Sequence, residues 1–232
     1  MLHTSCPSDP PTVRAAHPEE LASLSWWSTL QSVEQEQVAA HLEVLSLASG
    51  SAACQAGTTA AHWLGLLDGL LSLSSPALPG LASGLANGAW WGEPELLRHG
   101  TYRDNATALR PCLLARLPAP HFEALLRQSL AFSHHVLGQL NQQLSHERDI
   151  RQQERERSLG PDRRVALCLA ELFDPLRCPG VGSLLRITQQ ELAQLAGLSR
   201  QRVNQALQQL QQTEVLRIEY GGLRVLDRTR LH

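Results

Sequence analysis

Five side chains between Arg200 and Gln208 share a chemistry. Arg200, Gln201, Asn204, Gln205 and Gln208 fall on roughly one face of a helix turning by about 100° per residue. The Arg guanidinium donates through a planar fork, and the Gln and Asn amides both donate and accept. Such side chains can make bidentate contacts with guanine or adenine edges in the DNA major groove. Arg202 lies on the flank, and Val203, Ala206, Leu207 and Leu210 form an apolar face that would turn inward. A plain helical hairpin with a solvated polar face would look similar, so the neighbouring elements have to decide.

Those neighbours read as a helix-turn-helix from Ile187 to Gln211. Thr188 with Glu191 three residues on forms a capping box. Leu192, Ala193 and Ala196 give the first helix an apolar face, and the small Ala193 lets a second helix cross closely. Gly197 follows where a helix ends in a left-handed residue. Leu198 plugs the turn and Ser199 caps the second helix. Thr188, Gln190, Ser199 and Arg202 sit at helix starts or flanks, where side chains hold phosphates and fix register without reading bases. Val215 to Tyr220 and Leu223 to Leu226 are strand-like runs around Gly221-Gly222, a hairpin signal directly after the recognition helix. A hairpin in that place is a wing.

From about Gly160 to its end the chain resembles the winged-helix domain of the catabolite activator/Fnr (Crp/Fnr) superfamily of bacterial transcription regulators. The resemblance places Arg200 at the guanine-reading Arg of the family's motif. Gln201 stands where cyclic-AMP-responsive relatives carry Glu, and Gln205 stands where the family has a later Arg. It implies double-stranded DNA as partner, a homodimer, RNA polymerase as a further contact and a small-molecule effector of unknown identity.

Composition agrees with a two-part chain. All 20 basic residues are Arg. From Gly160 onward about 10 Arg face 7 acids, a net charge near +3, whereas the preceding part carries about 10 Arg against 15 acids, near −5. That sign split fits a DNA-binding domain joined to one that does not bind DNA. No apolar run reaches the roughly 18 residues of a membrane span, and the N-terminus has no signal-peptide pattern; a cytoplasmic protein is expected. Cys6, Cys54, Cys112, Cys168 and Cys178 are scattered, without C-x-x-C, so neither a zinc site nor a disulfide framework is indicated. Cys6 alone cannot supply the clustered N-terminal cysteines with which some relatives hold an iron–sulfur cluster. Cys112 and Cys168 read as small buried hydrophobes, and no cofactor is expected.

In the N-terminal half, Glu20 to Glu43 reads as helical, and Leu45 to Leu117 alternates glycines with short apolar runs, the pattern of a small β-barrel or sandwich. His62 to Gly69 resembles the strand-turn of a cyclic-nucleotide-binding β-roll. Gly88 to Glu93, with Leu96-Leu97, resembles the entry to its phosphate cassette. In such a cassette a Gly permits close backbone approach, a Glu accepts from the ribose hydroxyl and an Arg pairs with the cyclic phosphate. Gly92 and Glu93 match. The Arg does not: depending on alignment, Tyr102 or Asp104 takes its place, and Arg103 is one residue off, pointing to the other face of a strand. Gly92, Glu93, Tyr102 and Arg103 are therefore the effector-pocket candidates, with a scaffold or retuned roll expected over a cyclic-nucleotide sensor.

Pro118 to Arg157 reads as one long helix. Phe122, Leu126, Leu130, Ser133, Leu137, Leu140 and Leu144 step by four and three, a coiled-coil-like seam for dimerisation. Leu125 and Val136 would pack on the roll. His134 and His135 diverge around the helix and read as solvated or rim histidines rather than a metal pair. Ser158 to Pro161 is the expected hinge.

The expected fold is α+β: a disordered lead-in over 1–19, an N-terminal cyclic-nucleotide-binding-like jelly roll (β-roll) over 20–118, a long dimerisation helix over 119–158 and a C-terminal winged helix-turn-helix over 159–232. The expected function is a homodimeric DNA-binding regulator, not an enzyme, acting on a two-fold-symmetric operator. Two alternatives stand beside it: a cyclic-AMP-responsive regulator with an unusual phosphate cassette, and a cupin-like metal enzyme using His62, His99 and Glu93, which lack an H-x-H pair.

Overall fold

The computed structural model describes residues 12–77, 82–155 and 160–231, with side chains from 145 to 155 left aside. In chain order the roll contains β1 (Val13–Ala15), α1 (Pro18–Ala22), α2 (Ser32–His41), β2 (Glu43–Leu47), β3 (Ala52–Cys54), β4 (His62–Asp68), β5 (Leu71–Ser74), β6 (Ala82–Leu85), β7 (Trp90–Trp91), α3 (Glu93–Leu97), β8 (Asn105–Ala108) and β9 (Cys112–Pro118). Then come α4 (Ala119–Gln128), α5 (Leu130–Arg155), α6 (Pro161–Leu172), β10 (Leu184–Leu185), α7 (Gln189–Ala196), α8 (Arg200–Gln212), β11 (Leu216–Glu219) and β12 (Gly222–Val225).

The roll is two antiparallel sheets, ordered β1-β2-β9-β4-β7 and β3-β8-β5-β6. Cys112, Leu114, Ala115 and Leu117 of β9 are buried, as are Trp63, Leu64 and Leu66 of β4 beside it. Polar side chains at the margins pair across strands: Glu43 on β2 faces Arg116 on β9, with Nε to Oε2 at 2.6 Å. The interior is aromatic. Trp26, Trp63, Trp90, Phe122 and Phe132 meet at ring-centroid distances of 4.0–5.8 Å, a tilted and edge-on cluster of the kind aromatic quadrupoles favour. Gly65 carries no side chain because the Trp90 ring occupies the space a Cβ would need.

Three expectations for this half are corrected. The lead-in expected to be disordered through residue 19 is structured from Val13: β1 pairs with β2, and Arg14 binds Glu20 in the first turn of α1; residues 1–11 lie outside the described ones. Glu20 to Glu43 is not one helix. It is α1, a single 3-10 turn at Trp27–Thr29 and α2, because the run needed to bury Leu24, Trp26 and Leu30 together turns the chain inward. The long helix expected from Pro118 is broken at Ser129, whose backbone is extended (φ −110°, ψ 109°). Ser129 is buried, and its hydroxyl accepts from the Phe132 N–H at 3.3 Å, capping α5. The break lets Phe122 of α4 and Phe132 of α5 both enter the aromatic core. The hinge residues Ser158 and Leu159 lie outside the described residues, and α6 begins at Pro161.

The C-terminal helices pack onto the roll. Leu172 of α6 and Leu195 of α7 press on β6 at Gly84, where a Cβ would lie 2.7 Å from Leu172. Arg110, in the turn between β8 and β9, forms an ion pair with Glu191 on α7 at 3.2 Å and donates to the Arg186 carbonyl at 2.6 Å. Gln142 of α5 donates to Asp174 at 2.7 Å.

Candidate nucleic-acid interface and effector site

The capped pair of helices forms as its residues dictate. The Thr188 hydroxyl accepts from the Glu191 N–H at 3.2 Å and the Glu191 carboxylate accepts from the Thr188 N–H at 2.7 Å. Gly197 takes the left-handed conformation (φ 61°, ψ 41°), and the Leu198 N–H reaches back to the Ala193 carbonyl at 3.0 Å. Ser199 caps α8 through the Arg202 N–H at 3.3 Å. Val203, Ala206 and Leu207 are fully buried against α6 and α7, and Leu210 partly so.

This burial leaves Arg200, Gln201, Arg202 and Gln205 on the exposed face of α8, with Asn204 half-buried at its edge. Two of these side chains are held by neighbours. Gln189, the first residue of α7, donates from Nε2 to Asn204 Oδ1 at 2.9 Å. Arg202 Nη1 donates to Gln205 Oε1 at 2.7 Å. Thr188, Gln190 and Ser199 are exposed at the helix starts.

The wing is one residue out of the expected register. β11 ends at Glu219, which pairs with Gly222, so Tyr220-Gly221 makes the turn. Gly222 lies inside the sheet, where only Gly fits because a Cβ would stand 2.6 Å from the Leu185 carbonyl. Tyr220 is thereby placed at the tip, fully exposed. Gln211 Oε1 accepts from the Ile218 N–H at 3.4 Å and ties the wing to α8.

In the roll, the structure brings Gly92, Glu93 and Tyr102 together and leaves Arg103 outside. Gly92 opens α3 with φ 100°, and a Cβ there would stand 3.4 Å from the Tyr102 ring. Glu93 has no solvent exposure. Its Oε1 accepts from Gln143 Nε2 of α5 at 2.9 Å, and among the described residues no side chain or backbone group makes a geometrically good hydrogen bond to its Oε2, although the Trp63 indole lies near the carboxyl. Burial pushes its pKa up to about 8, against the lowering effects of its own backbone N–H, the Trp63 indole and the Gln143 amide. Tyr102 turns inward and donates to the His62 carbonyl at 2.8 Å, with burial holding its phenol at about 12. Arg103 is exposed, 3.9 Å from Glu95.

His62, Glu93 and His99 do not converge. His99 is exposed and lies 3.4 Å from Glu123. Among the described residues no group of three or more His, Cys, Asp or Glu side chains is disposed to hold a metal ion. His134 is exposed. His135 sits at the rim of the aromatic core: it is half-buried, its ring 6.5 Å from that of Phe132, and burial lowers its pKa. Cys54, Cys112, Cys168 and Cys178 are buried free thiols. Along α5, Leu130, Leu137 and Leu144 are 73%, 60% and 55% exposed. Ser133 and Leu140 are half-buried, as is Leu126 across the break on α4, where the Ser133 hydroxyl donates to the Leu126 carbonyl at 2.7 Å.

Two family models match the chain in succession. Residues 44–129 match the cyclic nucleotide-binding domain, and residues 163–232 match the Crp-like helix-turn-helix domain. The chain belongs to the Crp/Fnr family. Both parts of a Crp/Fnr DNA-binding transcription regulator are present, in the family's order, and together they cover about two thirds of its length. Solved structures share the fold. FixK2 from Bradyrhizobium japonicum aligns with a TM-score of 0.58 at 17% identity, covering 82% of this chain and 94% of that one. The c-di-GMP responsive global regulator CLP of Xanthomonas campestris aligns with a TM-score of 0.52 at 22% identity, covering 84% and 99%. Among curated protein sequences none matches. No helix among the described residues is long and apolar enough to cross a membrane.

For this Crp/Fnr chain, sequence reasoning missed Gln143, Gln189 and Arg110. Gln143 lies one residue before Leu144 of the expected seam and Gln189 one residue after the expected cap; neither carries a signal of its own. Each acquires a role only through a partner far along the chain.

Proposed function

We propose that this protein is a cytoplasmic homodimer that binds a two-fold-symmetric DNA operator, with Arg200, Gln201, Asn204 and Gln205 reading bases. Thr188, Gln190, Ser199 and Arg202 hold phosphates. The observation that carries the reading is the exposed polar face of a capped, well-packed α8 beside a wing. A helix packed only for stability has no need of Arg200, Gln201 and Gln205 on one open face. Homodimerisation is supported by the exposed leucines at 130, 137 and 144, spaced by heptads on α5. A two-fold dimer in turn asks for inverted half-sites. RNA polymerase is the further partner such a regulator would meet at a promoter.

The roll acts as a scaffold or senses something other than a cyclic nucleotide. Gln143 already occupies one oxygen of the carboxyl that would take a ribose hydroxyl, and Arg103 faces solvent beside Glu95. Genome-wide mapping of bound DNA in the host tests the proposal. Recovered fragments should share an inverted repeat; fragments with no common motif would refute it.

A further inference from the structure

The base-reading face carries a polarity beyond its residue types. A free amide is two-sided, accepting through its oxygen and donating through its nitrogen. Recognition of adenine uses both sides at once, accepting from N6 and donating to N7. In this structure the oxygens of two amides are already engaged. Arg202 Nη1 donates to Gln205 Oε1 at 2.7 Å. A guanidinium has five donors and no acceptor, so it can hold Gln205 only by that oxygen, which leaves the NH2 group free. Across the crossing of α7 and α8, Gln189 Nε2 donates to Asn204 Oδ1 at 2.9 Å, so the Asn204 oxygen is turned inward. Asn204 is half-buried there, which limits how its amide can turn.

We propose that Asn204 and Gln205 turn their NH2 groups, rather than their oxygens, toward DNA and so read it as hydrogen-bond donors, and that Gln189 and Arg202 are the positioning residues that set them so. The inference rests on the DNA-binding reading above and names the bases that reading leaves open. With Arg200 also a pure donor, only Gln201 among the four readers keeps an unengaged carbonyl. A donor face matches edges that accept. Guanine presents N7 and O6, both acceptors, and thymine presents O4. Cytosine presents its N4 donor, and adenine sets its N6 donor beside its one acceptor, so either would leave donors facing donors. Guanine or thymine is therefore favoured beneath Asn204 and Gln205, by about tenfold over adenine or cytosine.

Selection of binding sequences from random duplex DNA, with the full chain, tests this. Gln189→Glu removes the donor and supplies an acceptor. Asn204 would then donate inward and turn its oxygen outward. An acid in the first turn of a helix is well tolerated, so the variant should fold. The wild type should enrich guanine or thymine at the two positions. Gln189→Glu should shift the Asn204 position alone toward adenine or cytosine, about tenfold relative to the wild type, and leave the Arg200 guanine in place. Arg202→Met should broaden only the Gln205 position. Adenine at both positions in the wild type would overturn the inference. So would a Gln189→Glu protein with lower affinity but unchanged base preferences, since Gln189 would then be merely structural. If the wild type enriched no sequence at all, the DNA-binding reading itself would fall, and the inference with it.

Discussion

Gln143 Nε2 stands 2.9 Å from Glu93 Oε1 and joins α5 to the first turn of α3 through a carboxyl with no solvent exposure. Among the described residues the other oxygen of that carboxyl has no hydrogen-bond partner of good geometry. A buried carboxylate in that setting pays heavily for its charge, whereas the neutral acid does not.

Stability should therefore decline with rising pH. Unfolded, Glu93 titrates near its ordinary 4.5; folded, burial raises it to about 8. Between those values the folded protein binds the extra proton, so the stabilising contribution is whole below the lower value and gone above the upper one. Glu93→Gln keeps an amide in the same shape and removes the titration. The melting temperature of Glu93→Gln relative to the wild type should rise by several degrees between pH 5 and pH 9, on the order expected for one strongly shifted group. A difference that does not vary with pH would mean the carboxyl is already charged in the fold.

Cyclic AMP should not bind at micromolar concentrations. Tyr102 spends its hydroxyl on the His62 carbonyl, and Arg103 faces solvent beside Glu95. The cyclic phosphate would find no cation in the pocket, and anions are held in such cassettes by paired Arg. Titration calorimetry should record no saturable heat, and DNA affinity should be unchanged by the nucleotide. A saturable signal abolished by Arg103→Ala would show that the loop can swing inward.

The DNA-binding end was legible because its signals are local. Thr188, Glu191, Gly197 and Ser199 act within a turn of themselves, and each makes the bond its position promises. The roll was legible only in outline. Its strands are built from Leu, Ala and Gly, whose strand preference is weak, so pairing is decided by burial across the sheets. β1 was hidden by the prolines on either side of it, and its partner β2 begins some thirty residues later. The break at Ser129 was hidden by the leucine spacing that runs straight through it. What fixes it is the demand of Phe122 and Phe132 for the same aromatic core. The side-chain pairs Glu93–Gln143 and Arg110–Glu191 join residues far apart in the chain, and no periodicity could announce them.

Leu137→Glu should convert the protein to a monomer and abolish operator binding. Leu137 is 60% exposed, with Leu130 and Leu144 one heptad to either side. Facing copies would bury these stripes, and a carboxylate at the centre would meet its own image across the two-fold axis. Because the position is open in the single chain, the change should leave the protomer's fold intact, while the melting temperature loses the dimer's contribution and no longer depends on protein concentration. Sedimentation of the variant as a dimer would place the interface elsewhere.

Arg200 and Arg202 should separate base reading from backbone holding. Both are exposed on the first turn of α8, two residues apart, and so diverge around its axis. Arg200 belongs to the face that carries Gln201 and Asn204, and its fork can bridge guanine O6 and N7. Arg200→Ala should then cost about 1–3 kcal/mol on the specific site and little on random DNA. Arg202 lies on the flank, beside the capped helix start where phosphates approach. Arg202→Ala should weaken random DNA and lower the slope of log affinity against log salt by about one, the signature of one released counterion. Gel-shift titrations of both variants over a range of salt, on the selected site and on random duplex, give all four quantities. If Arg200→Ala weakened random and specific DNA by the same factor, Arg200 would be a phosphate contact, and α8 would have to enter the groove on a different face.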